Sequence, residues 1–127
     1  MILGTGIDII EIQRISRVVN RRKNFMIRFF TSGEREYFYN NGKKRIESIA
    51  GYYAAKEAIA KSMGTGFSGF GWQEIEIKKL EKGQPQVFLW GKAKEEARKR
   101  EIDHILLSIS HCKEYAVAQA IAIGEKK

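Results

Sequence analysis

From Ile2 to Ile10 the chain sets Ile and Leu against Gly and Thr, which reads as a strand ending near the acidic step Asp8-Ile9-Ile10-Glu11. A helix is expected from about Glu11, with Ile12, Ile15, Val18 and Val19 at helical spacing and Arg14, Arg17 and Arg21 off that stripe. After a break near Asn20, the pattern Phe25, Met26, Phe29, Phe30 predicts a second short helical piece. Thr31-Ser32-Gly33-Glu34 then has the form of a capping box, in which Thr31 accepts from the new helix and Glu34 reaches back. That helix, through Tyr37 and Phe38, is expected to stop at Asn40-Asn41-Gly42. The strongest helical pattern runs from Ile46 to Met63, rich in Ala and closed by Gly64-Thr65-Gly66.

Downstream the period changes to two. Glu74 to Lys78 alternates, and Gln86 to Trp90 follows the turn-like Lys82-Gly83-Gln84-Pro85, so these read as two hairpin strands. Lys92 to Arg100 is a charged amphipathic helix carrying Ala93 and Ala97. Ile105 to Ser110 and Tyr115 to Ile123 read as strands joined at His111-Cys112-Lys113-Glu114. No repeat, low-complexity tract or linker divides the 127 residues. The expectation is a single α+β domain over residues 1–127, with a small antiparallel sheet packed with helices.

Composition narrows the partners. Hydrophobic residues at 43% and charged residues at 30% suit a folded globular chain and exclude a disordered one. One cysteine, Cys112, permits no internal disulfide, which fits a cytoplasmic setting, and Asp8 breaks the first apolar run too early for a signal peptide or membrane span. Twenty-three Lys and Arg against fifteen Asp and Glu give a formal charge of +8, so the expected partners are anionic. Nucleic acid, acidic protein, phosphorylated cofactor and membrane surface all satisfy that balance.

Two carboxylates stand out for chemistry. Glu57 lies in Ala54-Ala55-Lys56-Glu57-Ala58, and Lys61 follows one turn later on the same face. A surface ion pair accounts for that spacing, and Asp8 alone reads as an acidic residue ahead of a helix N-terminus. Taken together they offer carboxylates from two separate elements, and Mg²⁺ is commonly held by one or two carboxylates plus substrate phosphates and water.

The chain resembles the holo-acyl-carrier-protein synthase family of 4'-phosphopantetheinyl transferases. The resemblance rests on Gly4-Thr5-Gly6-Ile7-Asp8-Ile9, Ala54-Ala55-Lys56-Glu57-Ala58, Gly83-Gln84-Pro85 and Ser108-Ile109-Ser110-His111, in family order across nearly the whole chain. Phe29 to Glu34 adds a similar hydrophobic-Thr-x-x-Glu step. It implies the phosphopantetheinyl transferase fold, with Asp8 and Glu57 ligating Mg²⁺ at the coenzyme A pyrophosphate and Lys61 on phosphate. It also implies that Lys61, Gly64, Gly83, Pro85, Ser108, Ser110 and His111 border coenzyme A. A carrier-protein serine would attack the β-phosphorus and expel adenosine 3',5'-bisphosphate, its proton going to Glu57 or to a water held by the metal. The family further implies acyl carrier protein as partner, a role in fatty acid biosynthesis, and a homotrimer with the nucleotide site at each subunit boundary. Trp72 and Trp90 are available either for that boundary or for the core.

Where the family usually carries Arg and then an aromatic ahead of Ala54, this chain has Tyr52-Tyr53, so Lys43, Lys44 or Arg45 is left to replace that cation. His104 reads as a strand-entry residue, and Leu106 stands where some members have His. Arg14, Arg21 and Arg28 recur every seven residues, which on a continuous helical path gives one face with Arg17 and Phe25 adjacent. Periodicity alone leaves that face either solvated or docking; the resemblance implies docking of carrier protein, with Phe25 or Met26 as anchor. Gly83 and Pro85 also read as plain hairpin punctuation. Ser108, Ser110 and His111 lack the acidic orienter of a hydrolase. A nucleic-acid-binding domain and a non-catalytic carrier-binding module remain the competing classes; the resemblance implies neither nucleic acid nor membrane as partner.

Overall fold

The computed structural model describes residues 1–40 and 42–125, and the backbone alone at Asn40. Its elements run β1 (Ile2–Glu11), α1 (Ile12–Arg21), α2 (Phe25–Phe29), α3 (Ser32–Phe38), β2 (Tyr39–Asn40), β3 (Lys43–Lys44), α4 (Ile46–Ser62), a 3₁₀ turn (Trp72–Glu74), β4 (Ile75–Lys79), β5 (Pro85–Leu89), α5 (Gly91–Lys99), β6 (His104–His111) and β7 (Tyr115–Ile123). The main sheet is antiparallel in the order β1-β7-β6, with β4-β5 and β2-β3 as separate hairpins. This is the expected α+β architecture.

The long helix α4 lies across the sheet because the facing side chains are small. Ala116, Ala118, Ala120 and Ala122 of β7 and Ala54, Ala55 and Ala58 of α4 are all fully or almost fully buried. On β1, Gly4 and Gly6 face the helix: a Cβ on Gly4 would meet the Ser62 carbonyl oxygen at 2.1 Å, and one on Gly6 the Ala58 carbonyl oxygen at 2.0 Å. These contacts are with backbone, which cannot swing aside, so the alternation of Gly with Ile in β1 is a packing requirement. Asp8 follows Gly6 on the same face of the strand and is thereby laid against the second half of α4.

The apolar cluster of α1, α2, α3 and α4 closes the other side. Ile12, Ile15 and Val19 bury the predicted stripe of α1, while Phe25, Phe30, Phe38 and Tyr52 form the aromatic interior. The capping box is present: Glu34 N–H donates to the Thr31 hydroxyl at 3.2 Å and Thr31 N–H to Glu34 at 2.9 Å.

Two local expectations change. The helical path from Arg14 to Arg28 is broken at Arg22, Lys23 and Asn24, so Arg28 sits on α2 and the seven-residue spacing does not give one continuous face. Helix α3 ends at Phe38, two residues earlier than expected, because Tyr39 and Asn40 pair with Lys44 and Lys43 instead. Asn41, part of the predicted stop, lies outside the described residues, as do Lys126 and Lys127. The remaining element boundaries shift by about one residue, within ordinary fraying.

Candidate active site

Asp8, Glu57 and Lys61 converge at the junction of β1 and α4. The Lys61 ammonium donates to the Ile7 carbonyl at 3.1 Å and to Asp8 Oδ1 at 3.2 Å. The sequence spacing suggested a Glu57–Lys61 pair, but the ion pair that forms is Lys61–Asp8, because the close seating of β1 brings Asp8 within reach. Burial raises the pKa of Glu57, the negative charge of Asp8 raises it further, and Lys61 partly opposes both. A carboxylate whose proton affinity is raised by burial and by its neighbour's charge marks a deficit of positive charge that one half-exposed lysine does not fill.

That deficit is the feature a divalent cation would meet. Among the described residues no group of three or more His, Cys, Asp or Glu gathers anywhere, so Asp8 and Glu57 supply at most two protein ligands. Such a donor set fits a hard cation that takes its other oxygens from phosphate and water, and does not fit a closed structural site.

The carboxylates open onto a cavity of about 550 Å³, with Ile15, Val18 and Phe29 among its apolar walls and Arg14 and Arg22 at its edge. Arg22, which follows α1 and falls outside the every-seventh pattern, reaches this cavity; Arg21 and Arg28 are not among its walls. Of the two expected apolar anchors, Phe25 is only 7% exposed and stacks on Tyr53 with ring centroids 5.9 Å apart, and Met26 is half-buried. The exposed apolar side chain of α2 is Ile27. Tyr53 lies one turn before Glu57 and also lines the cavity, although nothing in the sequence singled it out as a site residue. Burial and the nearby Glu57 carboxylate raise its phenol pKa, which keeps it a hydrogen-bond donor.

The other predicted residues lie elsewhere. Gly83, Pro85 and His111 share a cleft of about 110 Å³ with Ser48, Gly51 and Lys79, between the β4-β5 hairpin, β6 and the first turns of α4. Gly83 has φ of +82°, the left-handed turn conformation its glycine permits, so the hairpin reading holds. Ser108 and Ser110 are exposed on β6, Ser108 beside Pro85 in a neighbouring depression. Gly64 borders a third depression with Lys61 and Arg100. Ser48 and Glu57 stand about 14 Å apart along α4 at roughly 1.5 Å rise per residue, so one chain does not gather all the expected residues at one point. Trp72 is half-buried and stacks on Phe67, 4.1 Å between centroids, whereas Trp90 is half exposed and donates to Glu76 at 3.3 Å.

Comparison with known proteins gives one family throughout. Residues 4–120 match the model of the 4'-phosphopantetheinyl transferase superfamily. The holo-[acyl-carrier-protein] synthase of Thermoanaerobacter pseudethanolicus is 50% identical over 127 residues, covering 100% of this chain and 91% of that protein. That of Alkaliphilus oremlandii is 50% identical over 123 residues, covering 97% and 100%. Among solved structures, holo-ACP-synthase from Plasmodium yoelii superposes with a TM-score of 0.88 at 36% identity, over 99% of this chain and 98% of that one. Helicobacter pylori holo-[acyl-carrier-protein] synthase in complex with coenzyme A superposes with a TM-score of 0.82 at 32% identity, over 94% and 99%. The order β1, α4, β4-β5 hairpin and β6 that carries the candidate residues is thus matched along its full length, and the chain belongs to the 4'-phosphopantetheinyl transferase superfamily.

Proposed function

We propose that this single-domain enzyme transfers the 4'-phosphopantetheine group from coenzyme A to a serine of acyl carrier protein, converting the apo to the holo form for fatty acid biosynthesis. The observation that carries the reading is the Asp8–Glu57–Lys61 cluster at the head of an arginine-edged cavity, in a chain whose full-length relatives are holo-[acyl-carrier-protein] synthases. Asp8 and Glu57 are the residues that would hold Mg²⁺. When bound, the ion neutralises pyrophosphate charge and orients it for attack. Lys61, fixed beside Asp8 by the Ile7 carbonyl, adds a cation at the same phosphates.

The serine hydroxyl of the carrier attacks the β-phosphorus, and its proton passes to Glu57, directly or through water. The bond between that phosphorus and the oxygen bridging to the α-phosphate breaks, releasing adenosine 3',5'-bisphosphate. Incubating the protein with labelled coenzyme A and an apo-carrier protein, with and without Mg²⁺, tests this. Metal-dependent label on the carrier serine is the expected result, and none across a Mg²⁺ and Mn²⁺ titration rejects it. Among the described residues no helix is long and apolar enough to cross a membrane. The exposed thiol of Cys112 suits the reducing cytoplasm, where this reading places the enzyme.

Docking of the carrier falls to the first helix. Arg14 and Arg21 share one face of α1, with Arg28 on α2 and the buried Phe25 shaping the floor behind them. Charge reversal at Arg14 or Arg21 is expected to lower the encounter rate and apparent affinity for carrier protein while coenzyme A binding is unchanged. Added salt mimics the defect, since exposed charges are screened over about 8–10 Å near 0.1–0.15 M. Equal loss of coenzyme A affinity would assign these arginines to the nucleotide.

The separation of the two groups of site residues along α4 favours a site shared between copies, as does the outer face of the sheet. There Ile7 and Ile9 of β1 and Leu106 of β6 are 62%, 63% and 47% exposed, with Val117 and Ile121 of β7 between them in register. So much aligned apolar surface is the mark of an interface. The expected state is a trimer in sedimentation equilibrium, dispersed by Leu106→Glu with loss of transfer. A fully active monomer at assay concentration contradicts it.

A further inference from the structure

Tyr53 carries a hydroxyl that packing does not account for. Its ring stacks on Phe25 at 5.9 Å and on Trp72 at 4.8 Å between centroids, with interplanar angles of 23° and 26°, and meets Phe29 edge to face at 5.8 Å. Phe25 and Phe29 belong to α2 and Trp72 to the 3₁₀ turn, so two separate elements hold the ring in place. A phenylalanine would satisfy every one of these contacts. The side-chain hydrogen bonds nearby are made by Lys56, Lys61 and Gln73, and none involves Tyr53. Among the described residues the phenol therefore has no partner, although Tyr53 is half-buried.

Its place on α4 says where that donor is available. Tyr53, Glu57 and Lys61 recur every fourth residue and form one ridge of the helix, with Asp8 against the far end. Lys61 is turned to Asp8 and the Ile7 carbonyl, so Glu57 stands between a cation on one side and an uncharged donor on the other. Residues four apart on a helix bring their Cβ atoms to about 5–6 Å, a span that a phenol covers. Tyr53 and Glu57 both line the cavity of about 550 Å³. Among the described residues its uncharged side-chain donors are Tyr53 and Tyr115, and Tyr115 is 41% exposed on β7. Only Tyr53 combines a fixed ring with a place on the Glu57 ridge.

We propose that the Tyr53 hydroxyl donates a hydrogen bond to a non-bridging oxygen of the phosphoryl group in transfer, which makes it a catalytic residue beside Asp8, Glu57 and Lys61. The inference rests on the transferase reading above. Glu57, which takes the serine proton, has to lie close to the serine oxygen and hence to the phosphorus under attack. A donor one turn away on the same ridge faces the oxygens of that phosphorus. Negative charge spreads over those oxygens in the transition state, and a fixed donor meets it without reorganising. The tyrosine keeps its proton throughout. The serine oxygen bonds to the β-phosphorus, the bond to the oxygen bridging the α-phosphate breaks, and the serine proton passes to Glu57.

Tyr53→Phe keeps the stacked ring and removes the donor. It is expected to lower kcat for carrier labelling by about ten- to hundredfold, the worth of one hydrogen bond to a charged group. The KM values for coenzyme A and for carrier protein should stay within about twofold, because the contact is strongest in the transition state. Tm should be unchanged, whereas Tyr53→Leu, which also loses the stack, should melt lower. Titration calorimetry adds a readout without turnover: adenosine 3',5'-bisphosphate lacks the transferred phosphoryl group, so Tyr53→Phe should bind it as the parent does. A raised KM for coenzyme A at parental kcat would put the hydroxyl on the pantetheine arm, and a raised KM for carrier would put it on the carrier; either overturns the proposal. So does a Tm that falls together with kcat in Tyr53→Phe, which would make the loss one of structure. Parental labelling by Tyr53→Phe defeats the proposal alone, and unaltered protein that labels no carrier defeats the transferase reading and this proposal with it.

Discussion

Glu57→Gln and Asp8→Asn are each expected to lower carrier-protein labelling by roughly a hundredfold or more, the scale on which one preorganised charge-stabilising group acts. Both replacements keep side-chain volume and remove a charge, so the fold should persist. In the unaltered protein, Mg²⁺ should raise Tm through binding to the folded state, and each variant should lose that response. The effect of pH on stability gives a further check. The Glu57 carboxyl has its pKa raised by burial and by Asp8, so the folded chain holds a proton there that the unfolded chain has released. Its contribution to stability is therefore complete below the ordinary glutamate value of 4.5 and is lost as pH rises through the elevated folded value. Glu57→Gln removes this loss, so the variant should melt higher than the parent at neutral pH without metal, with the gap closing in acid. A variant that retains near-normal transfer across a Mg²⁺ titration, or one that melts lower at neutral pH, removes Glu57 from the proposed role.

That pairing of expected inactivity with expected stability has its origin in β1. Period-two alternation revealed the strand, but hydrophobic faces normally turn inward, and here Ile7 and Ile9 point out while Gly4 and Gly6 face α4. Sequence pattern alone does not distinguish a strand buried by its glycines from one buried by its isoleucines. The distinction depends on the small-residue face of α4, which becomes readable once the helix and strand are known to touch. The same contact selected Asp8 over Glu57 as the partner of Lys61, against the i, i+4 rule for an isolated helix.

Other parts were legible for local reasons. Thr31 and Glu34 announced a capping box, and Gly83 with Pro85 announced a hairpin, because both depend on residues within four positions of each other. The arginine spacing misled for the complementary reason: a seven-residue repeat has meaning only on an unbroken helix, and residues 22–24 interrupt it.

Lys56→Met is expected to have the largest effect on stability, at about 3–5 kcal/mol, the cost of breaking a buried ion pair from one side. Lys56 and Glu34 are fully buried at the side chain and stand 2.6 Å apart. The Lys56 ammonium also donates to the carbonyls of Phe29 at 2.9 Å and Trp72 at 3.0 Å, so its three hydrogens are all used. Glu34 in turn accepts from the backbone N–H of Thr31 at 2.9 Å and of Ile77 at 2.8 Å. One pair thus ties α4 to α2, to α3, to the 3₁₀ turn and to β4, where the sequence pointed only to a helix cap. Burial pushes Glu34 up and Lys56 down, each attraction to the other working against it, so neither charge is tolerable alone. Methionine fills the methylene stem but leaves the carboxylate unpaired and two carbonyls without donors. For a domain of this size the loss corresponds to a fall in Tm on the order of 10–20 °C. The double variant Glu34→Leu with Lys56→Met should recover much of it, since it leaves no unpaired buried charge. A fall of under about 3 °C in the single variant, or a double variant much less stable than it, would show that packing, not the ion pair, holds this junction together.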